Sequence, residues 1–255
     1  MGKINLGGIV PFSTIDWRGK AAMVIFLRGC PLRCRYCQNY NLLEGTHYVE
    51  MKELEEELIK NEGFIDAVVL SGGEPFMQPH AVEAIAHGAK KHSLFVAVQT
   101  NGFYSDIIKS TLKRNLIDKI LLDFKAPLSD ERLYESLTTV AGVAGSVKNT
   151  LDVCIHAPKS IDLELVTTVF KNLVGSEEVK RIAKDIEEAG AAGYPYVIQQ
   201  GRTEHVPDRA IKEDDMFSHE ELKELAADAY HAADLKEVRI RTKEDGEEVI
   251  YRRRK

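Results

Sequence analysis

Short runs of branched apolar residues alternate with amphipathic helical stretches along most of this chain, and no other feature restricts its fold so tightly. The runs fall at residues 23–27, 67–70, 94–98, 119–122, 163–169 and 196–199. They are continuous and rich in Val, Ile and Leu, as suits strands covered on both faces in a parallel sheet. Between them, apolar residues at helical spacing predict helices over 49–61, 79–92, 105–115, 131–136, 144–154 and 176–189. Six strand-then-helix repeats imply right-handed crossovers and an α/β architecture, either a barrel or a doubly wound sheet. In both, functional residues gather where strands run out into loops at their C-terminal ends.

The tail has a different pattern. Ser218 is placed as an N-cap, with Glu221 at the capping-box position, for a helix to about residue 233. Residues 237–242 and 248–252 flank Asp245-Gly246, which predicts a hairpin appended to the barrel. With no internal repeat and no low-complexity segment, residues 1–255 are expected to form a single domain. Its parts are a leader over 1–20, a barrel core over about 18–200 and an extension over 201–255.

Charge and composition exclude some roles. A net charge of −6 argues against a nucleic-acid partner held through phosphates, which would want a basic surface. The dense basic run at Arg252, Arg253, Arg254 and Lys255 reads as a solvated tail. The apolar stretch at 21–27 is far too short to cross a membrane, and no signal peptide is visible. A cytoplasmic location is expected, where thiols stay reduced, so the four cysteines are not a disulfide framework.

Three of those cysteines follow the first strand directly. Cys30, Cys34 and Cys37 have the spacing C-x3-C-x2-C, close enough to converge on one soft metal centre. Three is the informative number, because structural zinc sites and electron-transfer clusters normally take four protein ligands. Cys154 lies far away among Val147, Leu151 and Ile155 at helical spacing, as a buried apolar thiol would. A metal held by three thiolates keeps a position open for a substrate or cofactor, as catalytic metals do. The alternative is a zinc site completed by His47, or an iron–sulfur module without catalysis.

Two further strands end in polar clusters. The strand at 67–70 runs into Ser71-Gly72-Gly73-Glu74-Pro75, where two glycines let the backbone approach a ligand closely. The next two end in Gln99-Thr100-Asn101-Gly102 and in Asp123-Phe124-Lys125, where a barrel would place its site.

With an aromatic, Tyr36, before the last cysteine, this set resembles the radical S-adenosylmethionine (SAM) superfamily. The resemblance implies a partial (β/α)6 barrel with a small helix and hairpin extension. It also implies a [4Fe–4S] cluster on Cys30, Cys34 and Cys37, whose open iron is chelated by SAM. Electron transfer from the cluster would then cleave the sulfonium and release a 5′-deoxyadenosyl radical. Tyr36 matches the aromatic beside cluster and adenine, and Gly72, Gly73, Glu74 and Pro75 match the motif that binds the methionine amino group.

Thr100 and Asn101, with Asp123 and Lys125, are similar to motifs of the glycyl-radical-enzyme activases. Gln38 and Asn39 match the Cys-x-Asn that follows the cluster there. Some activases carry an acid where this chain has Gln99, so no bound monovalent cation is expected. The leader, Gly8 to Lys20, resembles that of the anaerobic ribonucleoside-triphosphate reductase activating proteins, with Arg18 where proline is common. Further similarity lies in Glu164 to Val169 and in Tyr196 to Gln200, while Gly201 falls where relatives often carry an aromatic. The implied partners are a glycyl radical enzyme, class III ribonucleotide reductase first, and a ferredoxin or flavodoxin as electron donor. The competing expectation is a small-molecule radical SAM enzyme such as a 7-carboxy-7-deazaguanine synthase. His205, just past the sixth strand, reads as a loop histidine.

Overall fold

The computed structural model describes residues 3–157 and 161–253. Its sheet begins with an edge segment in the leader, β1 (Ile4–Ser13), antiparallel to β2 (Ala22–Leu27) and touching the two-residue β3 (Tyr48–Val49) on its other side. From β2 the sheet continues in parallel through β4 (Ala67–Gly72), β5 (Phe95–Thr100), β6 (Lys119–Asp123), β7 (Asp162–Val169) and β8 (Pro195–Gln200). The crossovers are α1 (Met51–Asn61), α2 (Pro79–Lys91), α3 (Ser105–Leu112), the pair α4 (Glu131–Thr138) and α5 (Val143–Ile155), and α6 (Ser176–Glu188). Each predicted strand and helix is present, within a few residues of its expected ends.

The tail departs from expectation in one respect. Helix α7 (His219–Ala232) starts at Ser218, whose Oγ accepts from the Glu221 N–H at 3.3 Å while Glu221 accepts from the Ser218 N–H at 2.7 Å. It is a further crossover, because β9 (Glu237–Thr242) pairs in parallel with β8 as a seventh parallel strand. Only β10 (Gly246–Arg252) is added antiparallel, and the sheet stays open between its β3 and β10 ends. In the basic run, Arg252 and Arg253 are exposed, as expected of a solvated segment, and both are ion-paired: Arg252 pairs with Glu237, and Arg253 pairs with Asp234 at 2.8 Å and lies over the Tyr230 ring. Arg254 and Lys255 lie outside the described residues.

The two sheet faces bury different chemistry. Met23, Ile25, Val68, Leu70, Val96, Val98, Ile120 and Leu122 point to the helices and join the main core. The alternate residues point inward, as the two-residue strand period requires. On the early strands these are small: Ala22, Val24, Ala67, Val69 and Ala97. The room they leave is filled by Trp17 of the leader, 6% exposed, which turns into the barrel and packs on them with Leu121.

On the late strands several inward residues are charged. Buried Glu164 takes the Lys119 ammonium at 2.8 Å and the Arg241 guanidinium, and Arg241 also meets Glu247 at 2.6 Å. Burial alone would raise the Glu164 pKa, but the cations Arg241 and Lys119 outweigh it and hold the carboxyl below its usual range. Removing one member of such a buried set leaves its partners uncompensated. We expect Glu164→Gln to lower unfolding free energy by on the order of 3 kcal/mol in urea titrations at neutral pH. Since the native pKa is depressed, this contribution is complete above the ordinary carboxylate pKa and fades as pH falls through the native value. The gap between wild type and variant should therefore narrow in acid.

Candidate functional site

The site is built where β2 and β4 end side by side. After Leu27 the chain turns at Gly29 (φ +91°) into the loop carrying Cys30, Cys34 and Cys37, and the Cys37 N–H donates to the Cys34 carbonyl at 3.1 Å. The loop after β4 is pressed against that turn. The Gly73 N–H donates to Leu27 O at 2.9 Å and the Glu74 N–H to Gly29 O at 2.8 Å. A Cβ at Gly73 would lie 2.1 Å from Gly29 O, and one at Gly72 would lie 2.4 Å from Leu27 O. The two glycines are thus needed for the chain to approach itself, and a ligand gains from them only the Gly72 and Gly73 backbone that lines the cavity.

Glu74 has an anchoring place. Fully buried, it accepts from the Phe76 N–H at 3.0 Å, the Thr100 hydroxyl at 2.8 Å and the Asn101 N–H at 2.8 Å. Burial pushes its carboxyl up to about 7 against the pull of those donors. Neither Glu74 nor Pro75, which is buried at the start of a single turn, lines the cavity; they lock the β4 loop to the β5 loop from behind. Asn101 passes the link on, with its Nδ2 3.5 Å from Cys30 Sγ.

The other expected residues do meet in one place. A cavity of about 350 Å³ opens at the C-terminal ends of the parallel strands. Cys30, Cys34, Cys37, Tyr36, Gln38 and Asn39 line it, as do Thr100, Asn101, Asp123 and Lys125. Gln38 Nε2 donates to Arg202 O at 2.6 Å and Asn39 Nδ2 to Gly72 O at 3.0 Å, so both side chains pin the cysteine loop to its neighbours. Burial would lower the Lys125 pKa, but Asp123, 3.1 Å away, and the nearby Cys34 outweigh it and the ammonium is held well above its usual value.

Tyr36 is 6% exposed, with Lys125 Nζ 5.9 Å from its ring centroid and the Phe170 ring 5.7 Å away. Phe170 also packs on Gly201. A Cβ on residue 201 would lie 2.3 Å from the Phe170 ring, so the space beside Gly201 is filled by an aromatic from the end of β7.

Burial pushes all three thiols up, Cys30 to about 12, so metal binding must displace protons to form the thiolate ligands. Among the described residues, no three His, Cys, Asp or Glu side chains converge as ligands of one ion. Three soft thiol donors lining one cavity suit an iron–sulfur cluster by the chemistry of the donor set. His47 and His205 are exposed and line no part of the cavity, so His47 completes no zinc site. Cys154 is buried in α5 with its pKa pushed up to about 12, as a core thiol.

Sequence reasoning missed several lining residues. Ile15 and Asp16 come from the leader loop that carries Trp17, whose inward turn no local pattern marks. Arg241 and Thr242 come from β9, hidden by its reading as an appended hairpin. The alternation in Glu237 to Thr242, with Val238 and Ile240 on one face, was the available signal.

Comparison with known proteins agrees with this geometry. The radical SAM superfamily model matches residues 24–186. A putative glycyl-radical enzyme activating enzyme of Methanocaldococcus jannaschii is 32% identical over 228 residues, covering 88% of this chain and 90% of that protein. The pyruvate formate-lyase-activating enzyme of Clostridium pasteurianum is 32% identical over 201 residues, 73% of this chain and 77% of its own. Among solved structures, Streptococcus suis SuiB bound to its precursor peptide SuiA superposes with a TM-score of 0.63 at 16% identity, over 86% of this chain and 48% of that one. That last likeness concerns the fold.

The glycine contacts supply a test. Gly73→Ala should prevent the β4 loop from seating on Gly29 and cut the iron and sulfide retained after anaerobic reconstitution several-fold. Gly193→Ala, where an added Cβ meets nothing within 4 Å, should retain both at the wild-type level.

Proposed function

Because the chain belongs to the radical SAM superfamily, among its glycyl-radical-enzyme activating members, we propose that it installs the radical on an anaerobic class III ribonucleotide reductase. The [4Fe–4S] cluster and SAM of this superfamily supply the chemistry when bound: one electron from the cluster cleaves SAM to a 5′-deoxyadenosyl radical that abstracts hydrogen. In this reading Cys30, Cys34 and Cys37 hold the cluster. Tyr36 and the Gly72-Gly73 backbone flank SAM, and Lys125 with Asp123 meets its polar groups. No side chain need move a proton, because hydrogen leaves the partner's glycine as an atom; the protein orients the reactants and keeps water out.

The observation that carries the activase reading is 32% identity over 88% of the chain to a relative named as a putative glycyl-radical enzyme activating enzyme. The finer choice of ribonucleotide reductase rests on the leader, Gly8 to Lys20, whose Ile15 and Asp16 line the cavity. A ferredoxin or flavodoxin as electron source and a cytoplasmic location belong to the same proposal; among the described residues, no helix is long and apolar enough to cross a membrane.

Mixing the reduced, reconstituted protein with SAM and a class III ribonucleotide reductase should yield 5′-deoxyadenosine and a glycyl doublet in the EPR spectrum. Cys34→Ala should abolish both. A doublet with another glycyl radical enzyme but none with the reductase would reassign the partner, and no doublet across the whole panel would reject the activase reading.

A further inference from the structure

Three inward-pointing residues stand side by side on neighbouring strands beside the cavity: Thr168 pairs with Gln199 across β7 and β8, and Gln199 with Arg241 across β8 and β9. Arg241 Nη1 donates to Gln199 Oε1 at 3.1 Å, and Gln199 Nε2 donates to Thr168 Oγ1 at 3.3 Å. A guanidinium has no acceptor, so Arg241 fixes which end of the Gln199 amide is which. On the early strands, Ser71 Oγ donates to Gln99 Oε1 at 3.0 Å. Both glutamine oxygens are thus engaged by the protein's own donors. Each amide still has N–H to donate, two on Gln99 and one on Gln199, and the Thr168 hydroxyl, whose oxygen already accepts, can donate beside them.

The surface is rich in donors without being cationic. Arg241 is met from behind by Glu164 and Glu247. Those carboxylates offset the Arg241 charge, so this wall offers hydrogen bonds to a neutral carbonyl oxygen without the net positive charge that would favour a phosphate or carboxylate. Gln99 fits the same logic, since an acid at that position would present acceptors.

We propose that this wall reads main-chain carbonyls, with Gln99 and Gln199 donating to C=O groups on either side of the glycine in an extended peptide segment. The inference deepens the activase reading and rests on it. Arg241 is a positioning residue in this arrangement: it touches the Gln199 amide and sets its direction. The donors that select the substrate therefore lie on β5 and β8.

The test pairs a change in the protein with a change in the ligand. The probes are blocked heptapeptides with a central glycine, and the same peptides with a thioamide replacing the carbonyl before or after it, sulfur being the poorer acceptor. Binding is measured by equilibrium dialysis against the reconstituted, SAM-loaded protein. Wild type should prefer amide to thioamide by about ten-fold at each position, the effect of one neutral hydrogen bond. Gln199→Leu and Gln99→Leu should each bring the ratio close to one at a different carbonyl and preserve it at the other. A purely structural role would weaken both peptides equally and leave the ratio intact. Unchanged ratios in both variants, alongside a glycyl doublet from the intact partner, would overturn the carbonyl wall alone. Absence of both peptide binding and doublet would remove the activase reading and this inference together.

Discussion

Two loops that leave adjacent strands lie so close that the second cannot carry a side chain where it meets the first. Gly72 and Gly73 rest on the backbone of Leu27 and Gly29, and two main-chain hydrogen bonds seal the contact. Everything else in the site is referred to that contact. It sets the cysteine loop relative to β4, Glu74 carries the reference on to β5 through Thr100 and Asn101, and Asn101 returns it to Cys30. The loop is held mainly by neighbouring backbone and buried hydrogen bonds, which are stiff, so the thiols are placed before any metal arrives.

The barrel's interior is graded around its circumference. Early strands contribute alanines and valines, closed over by a tryptophan; late strands contribute Lys119, Glu164, Arg239 and Arg241 in a buried ion network. Burying charges costs more than burying methyl groups of equal volume unless each finds a partner. Here the network also holds side chains that face the cavity, Arg241 directly and Gln199 through it. Its position on the cavity side gives it a role in orientation beyond any contribution to stability.

Much of this was legible in the residues. Six strands and their helices follow from apolar runs and helical spacing, and the three cysteines stand out because three is one short of a structural metal site. What stayed hidden did so for identifiable reasons. Strand β9 carries Arg239 and Arg241 inward, so it mimics an exposed hairpin strand until the ion network is known. The glycine pair signals close approach but not to what, and the partner turned out to be the chain's own backbone. Glu74 looks like a ligand in a motif, yet its three donors come from two loops that only the fold brings together. The packing of Phe170 on Gly201 spans two strands, and a single position shows only half of it.

Trp17 stops the barrel from within, and it belongs to a segment that is not one of the seven parallel strands. The depth of the chamber is therefore governed by a cork at the start of the chain, seated on the small residues of the early strands. A longer or slimmer insertion there would shallow or deepen the chamber while leaving the cysteine loop and its seat on β4 alone. Such a scaffold can be refitted to a different guest by changes to its first twenty residues.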